Sequence, residues 1–202
     1  MASSVVAIWN AALAHIGHDK AVQSETETSP EAQLLSKLWQ PNWEKLLEGY
    51  DWSFATKFRA LAETSEDAPT LWTYSYGYPV DCMRLRCIVP ATGRTDSDLV
   101  PYQVGVVGDD AAQIRAIFTD EEDAEACYNA RVENVNLWSS NFRYALSWLL
   151  ASDLAMAKIG DPRFSSSALQ FAERAIAEAE TLSGNEEQLD PPRDSASIRA
   201  RE

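Results

Sequence analysis

Two histidines are the first residues in the chain that could bind a metal ion. His15 and His18 are three positions apart, so both rings could reach one ion. They also stand at the expected C-terminus of the first helix, where histidine interacts favourably with the helix dipole. No cluster of cysteine and aspartate accompanies them. We therefore favour the helix-end role and predict no metal site.

Two acidic groups could support other chemistry. Asp109 and Asp110 could act as an acid and base pair, but adjacent residues at a hairpin tip point apart, and nothing nearby is placed to raise the pKa of either. The acidic run 120–123 could imitate a calcium loop, but it lacks the alternating ligands and central glycine of such loops. We expect a turn and a solvated loop.

Motifs of enzymes and nucleotide-binding proteins are absent from the sequence. It contains no GxSxG, GxxxxGK[ST] or GxGxxG pattern. Cys82, Cys87 and Cys127 are odd in number and never spaced as CxxC, which argues against a disulfide framework or a zinc ribbon. They fit small core residues in a reducing compartment. The sequence predicts a protein that is not an enzyme and uses no cofactor.

Charge and hydropathy argue against two further classes. The 202 residues include 17 Lys and Arg against 31 Asp and Glu, a formal net charge of −14. Such a surface repels phosphate, so a reader of DNA grooves is not expected. No apolar stretch approaches the roughly 18 residues of a membrane span, and the N-terminus lacks an export signal. We expect a folded protein without membrane contact.

Apolar residues spaced three and four apart predict helices towards both ends of the chain. The expected helices span residues 5–16, 30–47, 142–159 and 162–182. Pro41 should kink or divide the second helix, because proline lacks a backbone donor. The turn from helix to strand is expected near residues 52–61.

Aromatic and β-branched residues dominate the middle of the chain, where prolines and glycines separate short runs. Antiparallel strands are expected at residues 72–76, 83–89, 102–107, 113–118 and 124–132. Two of these runs flank Gly108, Asp109 and Asp110, which is the pattern of a β-hairpin.

The predicted fold is α+β: a four-helix bundle formed by both ends of the chain, a small antiparallel β-rich insert and an extended C-terminal tail. Residues 1–62 and 139–183 are assigned to the bundle, residues 63–138 to the insert and residues 184–202 to the tail. The tail has too little apolar area to offset the entropy of ordering by itself.

Two separated elements connect the chain to a known family. Residues 50–62 read YDWSFATKFRALA, and residues 72–88 read WTYSYGYPVDCMRLRCI. With NAALAHIG at residues 10–17, this order resembles the tail tubular protein A family of phage head-to-tail adaptors. Tyr78 and Met83 stand where the family usually or often has leucine. The residues that match the family motifs are Trp52, Phe54, Ala55, Tyr76, Pro79, Asp81 and Arg84.

The resemblance implies a structural protein of the virion, located in its tail or neck and assembled in the host cytoplasm. It implies a homo-oligomeric ring of twelve copies between the portal protein and the distal tail protein. DNA would pass through the ring during ejection as cargo only, which suits the net charge of −14. The helical part would form the ring contacts, and the β-rich part would face the next tail component.

Two other functions stay open: an acidic, noncatalytic module that binds a basic protein, and a small hydrolase that uses carboxylates. The tail also has two interpretations, a solubilising terminus or a segment that orders on the portal protein or an adjacent copy. Its prolines would limit the entropy lost on docking, and its arginines could pair with carboxylates. The candidate docking residues are Leu189, Pro191, Pro192, Arg193, Ile198, Arg199 and Arg201.

Overall fold

The computed structural model describes residues 4–90, 100–109, 112–160 and 162–186. Within them the chain forms four α-helices and six β-strands. The helices are α1 (Val5–His15), α2 (Pro30–Gly49), α3 (Ser140–Leu154) and α4 (Pro162–Asn185). The strands are β1 (Thr56–Ala60), β2 (Tyr74–Gly77), β3 (Cys82–Val89), β4 (Tyr102–Val107), β5 (Ile114–Thr119) and β6 (Glu125–Ala130).

Serine side chains fix the start of three helices. Ser4, Ser29 and Ser139 each accept a hydrogen bond from the backbone amide three residues later, which satisfies an otherwise unpaired donor. α2 runs unbroken past Pro41, so the helix is not divided there. Buried residues on both sides of this proline hold the two halves of α2 on the same core.

The predicted four-helix bundle with a small insert is wrong. The strands form two three-stranded antiparallel sheets, in the orders β1-β6-β3 and β2-β5-β4. Sheets account for about 22% of the described residues and helices for about 47%, so a helix bundle does not dominate the fold. α1, α2 and α4 each pack against α3, which makes α3 the centre of the helical part.

The two sheets share an apolar core that is separate from the core of the helices. Tyr76, Ile117 and Tyr128 are its largest fully buried side chains. β1 lies in the range assigned to the bundle, yet it pairs along its length with β6. Strand pairing joins residues distant in the sequence, so apolar spacing could not reveal that these strands build a core of their own.

The predicted hairpin is confirmed. β4 and β5 pair in antiparallel register from Tyr102 opposite Thr119 to Val107 opposite Ile114. Gly108 has a φ of 97°, a backbone conformation that glycine adopts without a steric penalty. Asp109 is exposed at the tip, whereas Asp110 lies outside the described residues.

We predict that Trp52→Ala lowers the free energy of unfolding by about 3–5 kcal/mol, because it leaves a cavity in the helical core. Trp52 is fully buried there, and its ring meets that of Phe142 edge-on at a centroid distance of 4.9 Å. Urea unfolding measures the change. Phe58→Ala is the matched control, because Phe58 is 57% exposed, and it should change stability little. Equal losses in the two variants would contradict the assignment of Trp52 to the core.

Candidate functional site

The C-terminus of α2 lies against the sheets. The last turn of an α-helix leaves carbonyl oxygens without partners in the helix, and burying them unpaired costs free energy. Here side chains from other elements supply the donors. Trp52 Nε1 donates to Leu46 O at 2.9 Å, and Arg84 Nη1 donates to Gly49 O at 3.2 Å. The end of α2 is therefore fixed by residues that follow it in the chain.

Asn129 on β6 completes these contacts. Its Nδ2 donates to Leu47 O at 3.1 Å and to Tyr50 O at 2.5 Å. Its Oδ1 accepts a hydrogen bond from Arg86 Nε at 2.8 Å, so the amide orientation follows from its partners. Asn129 is fully buried. This one side chain joins the helical part to the sheets.

Two arginines on β3 and one carboxylate extend the contact. Arg84 and Arg86 both pair with Asp51, and Arg86 Nη2 also donates to Trp52 O at 3.1 Å. Cations near a helix C-terminus interact favourably with its dipole, and here they also neutralise Asp51. Together, Asp51, Trp52, Arg84, Arg86 and Asn129 form what we call the junction cluster. Its effect is to orient the sheets on the helices.

The C-terminus of α4 meets the same region. The backbone amide of Ser53 donates to Ser183 Oγ at 2.7 Å, and the Ser53 hydroxyl donates to the carboxylate of Glu186. The last described residue of the chain is thus anchored beside the junction cluster.

The motif residues behind the family resemblance occupy three places. Trp52, Phe54 and Ala55 pack in or against the helical core, and Arg84 joins the junction cluster. Tyr76 is buried in the core of the sheets, where its hydroxyl donates to Glu121 O at 2.9 Å. Pro79 is buried in the turn before β3, and its carbonyl accepts from the Cys82 amide at 3.0 Å.

Asp81, the remaining motif residue, links β3 to β1 and β6. Its carboxylate accepts from Lys57 Nζ at 2.5 Å and from the Tyr128 hydroxyl at 2.9 Å. Burial acts to raise the pKa of Asp81, but these two hydrogen bonds and the charge of Lys57 outweigh it and lower the pKa. The same contact raises the pKa of Lys57.

The histidines that could have shared a metal face different partners. His15 stacks on Trp148 at a centroid distance of 3.8 Å, and its Nε2 lies 3.0 Å from Ser147 Oγ. Burial lowers the pKa of His15. His18 Nε2 instead lies 3.6 Å from a carboxylate oxygen of Glu31. Among the described residues, no group of three or more His, Cys, Asp or Glu is arranged to hold a metal ion.

The other residues considered for chemistry have structural surroundings. Asp120 Oδ1 accepts from the amide and hydroxyl of Thr73, so this carboxylate positions the turn before β2 and is not simply solvated. Cys87 and Cys127 are register partners on β3 and β6. The tail candidates from Leu189 to Arg201 lie outside the described residues. Across the residues that the structure describes, none of the helices has the length and hydropathy of a membrane span.

Sequence reasoning missed an aromatic face on the helical part. His15, Tyr144, Trp148 and Phe171 form this face, with Trp148 in ring contact with the other three. Tyr144 is 52% exposed and Phe171 is 48% exposed. Apolar spacing gave no signal for this face, because it placed Phe171 on the expected buried stripe of the last helix. A contiguous exposed aromatic surface of this kind is typical of contacts between proteins.

Sequence reasoning also missed Asn129 and Arg86. Asn129 is a polar residue within the apolar run ACYNA, and a polar residue in such a run is typically buried and hydrogen-bonded. We predict that Asn129→Ala lowers the free energy of unfolding by about 2–4 kcal/mol. The substitution removes the hydrogen bonds that Asn129 makes with two backbone carbonyl oxygens and with the Arg86 guanidinium. Urea unfolding against Asn136→Ala, an exposed asparagine, measures this. An Asn129→Ala variant as stable as the wild type would contradict the assigned role.

We predict that Asp81→Asn lowers the melting temperature at pH 7, because it removes the negative charge that pairs with Lys57. A lowered pKa in the folded state gives a stabilisation that is present above the ordinary carboxyl pKa of 3.8. It is lost as the pH falls through the lower pKa of the folded state. The difference between variant and wild type should therefore shrink below about pH 4. A difference that is independent of pH would contradict this contribution.

Comparison with known proteins adds no assignment. No known family model matches the chain, and no curated protein sequence matches it. The likeness to the tail tubular protein A family therefore rests on the sequence elements quoted above.

Proposed function

We propose that the chain is a noncatalytic head-to-tail adaptor of a phage virion. In this role twelve copies form a ring between the portal protein and the distal tail protein, and DNA passes through the ring. The observation that carries the proposal is that the two sequence elements behind the resemblance meet in space. Arg84 of the second element binds Gly49 O and Asp51, directly before Trp52 of the first.

The aromatic face supports assembly into a ring. It extends over α1, α3 and α4, and its exposed rings offer large contact areas with few rotatable bonds to immobilise. Such residues contribute much of the binding energy at protein interfaces. In the proposed ring this face packs on the neighbouring copy, and the sheets present surfaces to the next tail component.

The charge of the chain supports a role in which DNA passes without binding. The net charge of −14 per copy is multiplied in a ring, and phosphate is repelled from such a surface. A cationic lumen would instead bind DNA and slow its passage. The junction cluster supports the same role, because it holds the sheets in a fixed position on the helices when force acts on the assembly.

Sedimentation velocity of the purified chain, with and without its portal protein, tests the proposal. We expect a species of twelve 22.4-kDa chains, either alone or on the portal. Phe171→Glu should prevent this assembly, because it places a charge in the aromatic face. Phe58→Glu on β1 is the matched control, since Phe58 is equally apolar and 57% exposed but lies on the sheets.

Circular dichroism of Phe171→Glu shows whether the monomer is still folded, and Tyr144→Glu places the same charge on a different helix. A chain that stays monomeric with its portal protein at all concentrations would contradict the ring. That result would favour the second candidate, an acidic module that binds a basic protein, as the charge of −14 allows.

A further inference from the structure

The outer side of β4 has no backbone partner among the described residues. β4 is an edge strand of its sheet. The Tyr78 amide donates to Arg115 O across the pairing of β2 with β5. Because backbone hydrogen bonds alternate along an antiparallel strand, the odd-numbered residues of β5 form theirs with β2, and the even-numbered residues form theirs with β4. In β4, therefore, Gln103, Gly105 and Val107 bond to β5. The backbone groups of Tyr102, Val104 and Val106 point outwards.

The three other edge strands are protected, whereas the part of the chain that the structure describes shows no such protection for β4. β1 has Lys57 and Arg59 on a short exposed strand. The outer side of β2 bonds to residues 62 and 64, through Gly77 N to Ala62 O and Thr64 N to Ser75 O. β3 contains two register shifts and a bridge from Ile88 to Val100. Charges, cover and bulges are the usual devices that keep edges from pairing with other chains.

β4 has the opposite character, because its sequence YQVGVV has no charge and no proline. Tyr102 and Val104 pack against the core of the sheets. Val106 is on the same face of the strand, yet it is 60% exposed. An added strand with apolar residues on that face would cover Val106 and extend the core.

The C-terminal segment of the chain has the matching pattern. Residues 195–201 read SASIRAR, in which Ala196, Ile198 and Ala200 alternate with polar residues. Strict alternation is the pattern of a strand with one buried face. The eight residues 187–194 connect it to Glu186 and can span about 26–29 Å when extended. Pro191 and Pro192 favour such an extended connection.

We propose that residues 195–201 of one copy add as a strand to the open edge of β4 in a second copy. Backbone hydrogen bonds to Tyr102, Val104 and Val106 would supply most of the affinity, and Ile198 would supply the apolar anchor. Arg199 and Arg201 then lie on the polar face, where a chain of net charge −14 attracts them. This inference rests on the proposed assembly of several copies and identifies where the tail docks on its neighbour.

Residue-resolved amide hydrogen exchange on the full-length chain tests the proposal. At concentrations where the chain associates, the Val104 and Val106 amides should exchange at least about tenfold more slowly than in dilute protein. The exchange rates of the Gln103, Gly105 and Val107 amides should not change, because β5 already protects them.

Val106→Pro should abolish the association through this edge, since it removes an outward backbone donor and leaves the hydrogen bonds to β5 intact. Val106→Thr keeps the donor and is the matched control.

A second pair of variants tests the tail. Ile198→Asn should remove the protection of Val104 and Val106, whereas Ile198→Val should keep it. Protection that is independent of concentration, or that survives Ile198→Asn, would overturn the proposal. Amide hydrogen exchange reports on the β4 edge, and sedimentation reports on the ring. A twelve-copy ring without protection of Val104 and Val106 therefore overturns this inference alone, whereas protection without a ring overturns only the proposed adaptor.

Discussion

The carbonyl oxygens at the end of α2, of which those of Leu46 and Leu47 belong to buried residues, are the constraint on which the rest of the structure depends. A helix that ends inside a protein must find donors for these groups, and here the donors come from Trp52, Arg84 and Asn129. Arg84 lies on β3 and Asn129 lies on β6. The hydrogen bonds that satisfy the carbonyl oxygens at the end of α2 therefore also fix the position of the sheets. One local requirement thus determines how the two parts of the chain are arranged.

Because of this arrangement, the sheets are held in a fixed position against the helices. Arg86 ties Asn129 to Trp52 O, and Ser183 and Glu186 bring the end of α4 to the neighbouring Ser53. Buried polar groups that are fully hydrogen-bonded favour one geometry over its alternatives. A fixed geometry is what a ring component needs if one surface binds its own copies and another binds the next tail protein.

Local patterns predicted the local structure well. Apolar spacing located α1 to α4, and turn residues located the hairpin of β4 and β5. The pairing of β1 with β6 joins residues about seventy positions apart, and no local signal records it, so a bundle with a small insert was predicted instead. Trp52 and Arg84 were identified through the resemblance, but Asn129, which bonds to the end of α2 from β6, was not.

The measurement that tests the central claim most directly is equilibrium unfolding in urea followed by two probes. Six of the seven tryptophans lie in or against the helical core, so their fluorescence reports on the helices. The protected amides of β5 and β6 report on the sheets. Coupling through the junction cluster predicts one transition with the same midpoint for both probes. Two transitions, with the sheets unfolding apart from the helices, would contradict the account.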